Sequence, residues 1–83
     1  MEKTFYLLTT LIEKEESISD YHSLYEKRGT AMNMFEIELA ECAENFDGQK
    51  GDYKINLPMC REWRNEDGYG YTVTVEEIKP FND

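Results

Sequence analysis

An apolar stripe with helical spacing in the middle of the chain places the strongest limit on its fold. The stripe residues follow one another at intervals of four, four, three and four positions, which aligns their side chains on one face of an α-helix. Residues 31–46 are therefore predicted to form an amphipathic helix roughly 24 Å long, with Thr30 as its N-cap and Gly48 at its end. The stripe consists of Ala31, Phe35, Leu39, Cys42 and Phe46.

The segments on either side of this helix alternate as β-strands do. Residues 4–13 are rich in β-branched and aromatic side chains, and both faces of this predicted strand are apolar. We expect a helix to cover one of these faces and a partner to cover the other. Residues 53–64 alternate as a second strand, in which Pro58 indicates a sheet edge or a bulge because proline donates no ladder hydrogen bond. Residues 69–76 form a third strand, bounded by a turn at 65–68 and by Pro80.

A second, shorter helix is predicted between the first strand and the main helix. Ser19 or Asp20 would cap it, and Gly29 would follow its end at Arg28. The chain of 83 residues is then a single α+β domain with the order β-α-α-β-β. Its predicted architecture is a three-stranded antiparallel sheet, strand order 2-3-1, with one long and one short helix on one face. The apolar side of the short helix would hold Ile18, Tyr21, Leu24 and Tyr25.

The hairpin between the last two strands needs an odd-length loop or a bulge. A four-residue loop would place the apolar faces of the two strands on opposite sides of the sheet. The register that aligns the faces pairs Trp63 with Tyr69, Arg61 with Tyr71, and Met59 with Val73.

The net charge of −9 limits the classes of partner. Proteins that bind nucleic acid use Lys and Arg to replace the counterions of the phosphates, and anionic membranes attract the same residues. The composition therefore argues against direct binding to either. A basic protein surface is the natural electrostatic partner. The alternative is that the acidity only keeps a small protein soluble.

No motif indicates catalysis or a bound metal or cofactor. His22, Cys42 and Cys60 are far apart in the sequence, and a zinc site needs four ligands at suitable spacing. Two cysteines do not make a disulfide framework, and the first residues lack the pattern of a signal peptide. We therefore expect a cytoplasmic protein with reduced thiols that is not an enzyme.

The predicted helix lies in a segment with one sign of charge. No Lys or Arg occurs between Arg28 and Lys50. On a helical wheel the acidic residues surround Met34 and Ile37 on the side opposite the apolar stripe. An apolar centre with a polar rim is typical of an interaction patch. The predicted partner-binding residues are Met34, Glu36, Ile37, Glu38, Glu41, Glu44 and Asp47.

These acidic residues do not stabilise the helix itself. Glu41, Glu44 and Asp47 lie near its C-terminus, where the helix dipole disfavours negative charge, and neighbouring acids repel one another. The compensating charge must come from Lys54, Arg61 or Arg64, or from a partner. The alternative for the apolar centre is that Met34 or Ile37 packs under the short helix.

The leading hypothesis is a non-enzymatic protein that binds a basic surface of a partner protein as an inhibitor or modulator. Its extreme form is a nucleic-acid mimic, whose carboxylates take the place of phosphates. In size, charge and lack of catalytic motifs the chain is similar to the small inhibitors that phages and mobile elements make against host defence nucleases. The alternative is a homodimeric assembly or regulatory protein without mimicry. This alternative depends on the first strand, which is apolar on both faces, and on three side chains that are predicted to be exposed: Tyr6, Met34 and Ile37.

Overall fold

The computed structural model describes residues 3–79, which form five strands and one helix. The sheet has the strand order β2-β1-β5-β4-β3, and every neighbouring pair is antiparallel. One strand is therefore central, and two strands form the edges. The elements in chain order are β1 (Phe5–Lys14), β2 (Ser17–Tyr25), α1 (Arg28–Asn45), β3 (Gly51–Leu57), β4 (Cys60–Asn65) and β5 (Gly70–Ile78).

The predicted short helix at residues 19–28 is wrong, because this segment forms the edge strand β2. Its apolar residues fit a helical period and a strand alternation about equally over so short a length. A tight turn at residues 15–16 folds the chain back, so that β2 supplies hydrogen-bond partners to the backbone of β1 along nine residue pairs. Ile18 and Leu24 then point to one side of the sheet, and Tyr21 points to the other.

The predicted continuous strand at residues 53–64 is also wrong. It is two strands, β3 and β4, joined by a turn at residues 58–59 that leaves Leu57 paired with Cys60. Pro58 belongs to this turn, where its fixed φ is favourable, and it does not mark an edge of β4. The bulge that the sequence suggested near Pro58 lies instead between Tyr53 and Ile55. The sheet therefore has five strands, and the predicted three-stranded sheet with two helices is replaced by one with a single helix.

The hairpin between β4 and β5 is closed by a backbone hydrogen bond from Asn65 to Tyr69, which leaves a three-residue loop at 66–68. Its register is two residues away from the predicted one. Trp63 pairs with Tyr71, and Arg61 pairs with Val73. The side-chain oxygen of Asn65 accepts hydrogen bonds from the backbone N–H groups of Asp67 and Tyr69, at 2.9 and 3.0 Å. Gly68 ends the loop with a φ of 89°, which glycine adopts without strain. A shift of two residues keeps every side chain on its predicted face.

Helix α1 packs on β1 and β5 through the predicted apolar stripe, and all five stripe residues are buried. They meet the side chains of Leu8, Tyr71, Val73 and Val75 in one apolar cluster. The helix begins at Arg28, so Thr30 lies within its first turn and is not the N-cap. Pro80 lies outside the described residues. Within residues 3–79, no helix has both the length and the apolar character that crossing a membrane requires.

Two glycines allow a test of how closely β4 and β5 approach. A Cβ atom at Gly70 would collide with the backbone carbonyl group of Trp63 in the adjacent strand, whereas one at Gly29 in α1 would meet nothing. Gly70→Ala is expected to lower the free energy of unfolding by about 2 kcal/mol or more. Gly29→Ala should raise it by up to about 1 kcal/mol. Urea unfolding followed by the fluorescence of Trp63 measures both changes, and equal stability of the two variants would contradict the strand pairing.

Candidate protein-binding surface

The outer surface of α1 carries most of the acidic residues that were predicted to bind a partner. Glu36, Ile37, Glu41 and Glu44 are exposed on the helix, and Asp47 is exposed just beyond its end. These five residues are called the acidic face below. Ile37 is 46% exposed and is the only large apolar side chain among them. The sequence pattern located this surface because the buried stripe defines the opposite side of the helix.

Met34 and Glu38 lie at the border of the acidic face. Both side chains are half-buried, and Met34 packs against the apolar core cluster. Tyr6 is also packed against the core and is not the exposed residue that was predicted. The apolar centre of the acidic face is therefore Ile37 alone.

The basic residues of the hairpins compensate little of this charge. The guanidinium group of Arg61 lies 4.0 Å from the carboxylate oxygen of Glu36, which is a long ion pair. The same guanidinium group lies over the ring of Phe35. Arg64 instead pairs with Glu13 at 2.6 Å and with Glu62 at 2.7 Å, on the side of the sheet away from α1. Among residues 3–79, Glu38, Glu41, Glu44, Asp47 and Lys54 are in no ion pair. The acidic face is thus left almost without counter-charge.

A polar cleft of about 360 Å³ separates the C-terminal half of α1 from β2. Glu38, Glu41 and Asn45 line it from the helix, and Tyr21 lines it from the strand. Lys14 spans the cleft and donates a hydrogen bond to the side-chain oxygen of Asn45 at 2.8 Å. Burial and the nearby charge of Glu41 raise the pKa of the Glu38 carboxyl group. The carboxyl group of Glu38, at the border of the acidic face, is therefore less well solvated than a carboxyl group in water.

The side of the sheet opposite α1, called the open face below, is covered by no element among residues 3–79. Half-buried Leu7 and Leu11 lie on it in β1, and Leu7 is paired with exposed Leu24 of β2. Exposed Leu57 lies on β3 at the other edge of the sheet. The sequence predicted a second apolar face for the first strand but assigned Leu24 to a helix. The alternation of Ile18, Asp20, His22 and Leu24 on one side of β2 is the signal that could have located this surface.

The residues considered for catalysis are not brought together. His22 and Cys60 lie in the same row across the open face, three strand spacings apart, which is about 14 Å. Cys42 is buried in the core, and burial, followed by the charges of Glu38 and Glu41, raises its pKa to about 11. The Cys42 thiol is therefore protonated at neutral pH. No group of three or more metal-ligating side chains suitable for an ion occurs in the described part of the chain.

Comparisons of the chain with protein-family models, with curated proteins and with solved structures found no match.

Neutralising Glu38 should stabilise the protein in a pH-dependent way. Since the folded-state pKa is raised above the ordinary value of 4.5, the stability linked to this group is full at low pH and is lost as the pH rises through the folded-state pKa. Glu38→Gln is expected to raise the free energy of unfolding at neutral pH by about 0.2–0.5 kcal/mol, the cost of a like-charge pair on a helix. Below pH 4.5 the variant and the wild type should have the same free energy of unfolding, because Glu38 is then protonated.

Glu36→Gln is the matched control for this measurement. Glu36 lies on the same helix but faces Arg61, so its neutralisation should bring no stabilisation at neutral pH. Urea unfolding of both variants over a range of pH checks the prediction. A stabilisation by Glu38→Gln that is the same at every pH would show that the carboxylate is not responsible.

Proposed function

We propose that the protein is a non-enzymatic inhibitor or modulator that binds a basic surface of a partner protein through the acidic face of α1. The observation that carries this proposal is the charge of α1, which has acidic residues but no Lys or Arg after Arg28 and forms one ion pair among residues 3–79, between Glu36 and Arg61. Charges that neither stabilise the helix nor pair within the chain are available to a partner. A basic partner would form ion pairs with these carboxylates and so reduce the repulsion among them. Long-range electrostatic attraction would also speed the encounter of the two proteins.

The spacing of the carboxylates supports the more specific proposal of nucleic-acid mimicry. Glu38, Glu41 and Glu44 follow one another in steps of three residues, which is about 4.5 Å along a helix axis and about 60° around it. A single DNA strand carries one charge per about 3.4 Å. These carboxylates wind around the outer side of α1 at a charge density similar to that of a phosphate backbone, and a partner groove that binds nucleic acid offers cations at a comparable spacing.

Ile37 adds an apolar contact to this row of charges. It is exposed between acidic neighbours, so a partner that approaches the carboxylates also covers its side chain. Burial of one such side chain contributes at most about 2 kcal/mol, and the electrostatic contacts would add orientation and a fast encounter. An anti-defence inhibitor encoded by a phage or a mobile element would act in this way on the nucleic-acid channel of a nuclease.

A second candidate function is supported by the open face. The apolar residues on it favour a homodimeric assembly or regulatory protein that does not mimic nucleic acid. The two functions differ in their response to salt. Binding through the acidic face weakens as salt screens the charges, whereas association through apolar surface does not.

Reversal of three charges on α1 tests the proposed function. Glu38→Lys, Glu41→Lys and Glu44→Lys in one variant should reduce capture of a basic partner from a host lysate by about tenfold or more. Of the three positions, only 44 lies in the last turn, where the helix dipole favours Lys, so far-UV circular dichroism must show that the variant is folded. Capture at about 50 mM and about 500 mM NaCl should show that salt weakens binding by the wild-type protein.

The matched control is a variant with the same change in net charge at three residues away from α1. Glu15, Glu16 and Glu66 are exposed in the β1–β2 turn and the β4–β5 loop, away from α1. Their replacement by Lys alters the total charge equally, so this variant should retain most of the capture. The proposal is wrong if both triple variants lose binding equally, or if capture does not change with salt.

A further inference from the structure

The two edges of the sheet differ in how they are protected against pairing with another strand. Edge strands expose unpaired backbone N–H and C=O groups, and natural proteins blunt them with bulges, lysines or prolines. β3 has two of these features, a bulge between Tyr53 and Ile55 and the exposed Lys54 within it. β2 pairs with β1 in one continuous register, and residues 17–25 contain no Lys, Arg or Pro. No strand among residues 3–79 covers the outer side of β2, so it is a regular edge that is open to pairing.

The backbone of β2 presents its free groups at every second residue. The N–H of Val75 donates to the C=O of Met59, so the odd-numbered residues of β5 bond to β4 and its even-numbered residues bond to β1. The same alternation, continued across β1, directs the odd-numbered residues of β2 inward to β1. The even-numbered residues therefore direct their N–H and C=O groups to the free edge. They are Ile18, Asp20, His22 and Leu24.

The sequence of β2 is chemically symmetric about Tyr21. In both directions from this residue, the chain has an ionisable residue, then a serine, then an aliphatic residue. If two copies pair antiparallel about a twofold axis at Tyr21, each of these residues comes opposite one of matching or complementary kind in the other copy. The opposed residues are Asp20 and His22, Ser19 and Ser23, and Ile18 and Leu24.

This register also matches the backbone. It sets even-numbered residues opposite even-numbered residues, whose N–H and C=O groups point to the free edge in both copies. The four pairs form about eight hydrogen bonds, two for each pair. A twofold axis at Asp20 or at His22 would match the backbone as well. It would, however, set that residue opposite itself and an aliphatic residue opposite a polar one, so the side chains favour the axis at Tyr21.

The charges near this axis are compatible with the pairing. Asp20 is the only acidic residue of β2. Within one copy, its carboxylate lies 3.4 Å from the imidazole of His22. In the paired strands, each Asp20 also lies opposite His22 of the other copy, so the four groups alternate around the axis and no carboxylate lies directly opposite another. The edge therefore carries little of the repulsion that the net charge would otherwise cause.

Helix α1 leaves room for the second copy. It packs over β1 and β5, so its axis lies about two strand spacings from the twofold axis, and the two helices are about 19 Å apart. This distance exceeds a helix diameter of about 10–12 Å and the Debye length of about 8 Å at physiological ionic strength. The side chains of Tyr21, which are 57% exposed, meet in the gap between the helices.

We propose that β2 pairs antiparallel with β2 of a second copy of this chain about a twofold axis at Tyr21. The product is one continuous sheet of ten strands, five from each copy. The pairing needs no partner on the acidic face, so it does not depend on the function proposed above. Because the axis is perpendicular to the sheet, both acidic faces lie on the same side of the dimer. A basic surface that reaches both would bind the dimer more tightly than the monomer.

Disulfide trapping tests the register. Tyr21→Cys places two thiols at a non-hydrogen-bonded pair, where the Cα atoms are about 4.5 Å apart and a disulfide can form. Ser19→Cys is the matched control on the same side of β2, because its two thiols would be about 14 Å apart. Both variants carry Cys60→Ser, which leaves only the buried native thiol of Cys42. Under mild oxidation at about 200 µM protein, Tyr21→Cys should form a covalent dimer about tenfold or more faster than Ser19→Cys, as measured by non-reducing electrophoresis.

Proline substitutions test the backbone pairing. The N–H of His22 points to the free edge, so His22→Pro removes no hydrogen bond to β1 but blocks the incoming strand. Asn56→Pro is the matched control on β3, because the N–H of Asn56 also points outward. Sedimentation velocity between about 2 µM and about 200 µM should show a dimer of wild type and of Asn56→Pro, and an affinity about tenfold or more weaker for His22→Pro. Far-UV circular dichroism shows whether each variant is folded, and if His22→Pro is not, the disulfide trapping decides.

Three outcomes would overturn the proposal. The first is a wild-type protein that remains a monomer at about 200 µM. The second is equal trapping of the two cysteine variants, which would indicate random collision. The third is a dimer that persists in folded His22→Pro, which would place the contact elsewhere, such as on the open face. None of these variants changes α1, so this proposal and the proposed function can fail separately.

Discussion

The contact between α1 and the central strands β1 and β5 holds this structure together. Phe35 and Val73 are completely buried in it, and the rest of the helix stripe and its apolar neighbours on the sheet complete one cluster. The edge strands contribute much less, and every residue of β3 is exposed. Loss of a buried aromatic side chain from such a core costs about 3–5 kcal/mol, which is a large fraction of the stability of a small domain. The position of α1 on the sheet therefore determines every other surface of the molecule.

A single helix covers only one side of a five-stranded sheet. In a sheet of this kind the second side is either polar and solvated or covered by another layer. Here it carries exposed aliphatic residues on both edge strands, with small residues on the central strand between them. The molecule thus has two distinct surfaces on opposite sides. One is the acidic surface of the helix, and the other is a sheet surface on which exposed aliphatic residues at the two edges flank polar residues and the Arg64 ion pairs.

The placement of the two arginines explains why the acidic face is left without counter-charge. Arg61 faces α1, but its guanidinium group packs on the ring of Phe35 and only approaches Glu36. Arg64 points to the open face, where two carboxylates hold it. The strand alternation sends one arginine to each side of the sheet, although they are close in sequence. Neither is available to the carboxylates in the C-terminal half of the helix.

The sequence by itself determined the buried stripe of α1, the alternation of β1 and β5, and most of the acidic face. In these elements a regular period is sustained over nine or more residues, so local physics is sufficient to specify them. Only the tertiary structure decided the rest. Residues 17–25 fit a helix or a strand equally well, and the free hydrogen-bonding edge of β1 selects the strand. Pro58 fits an edge or a turn, and the pairing of β3 with β4 selects the turn. Glu38 and Met34 lie at the border of the acidic face because Glu38 lines the cleft beside β2 and Met34 packs against the core cluster, and the helical period does not specify these contacts.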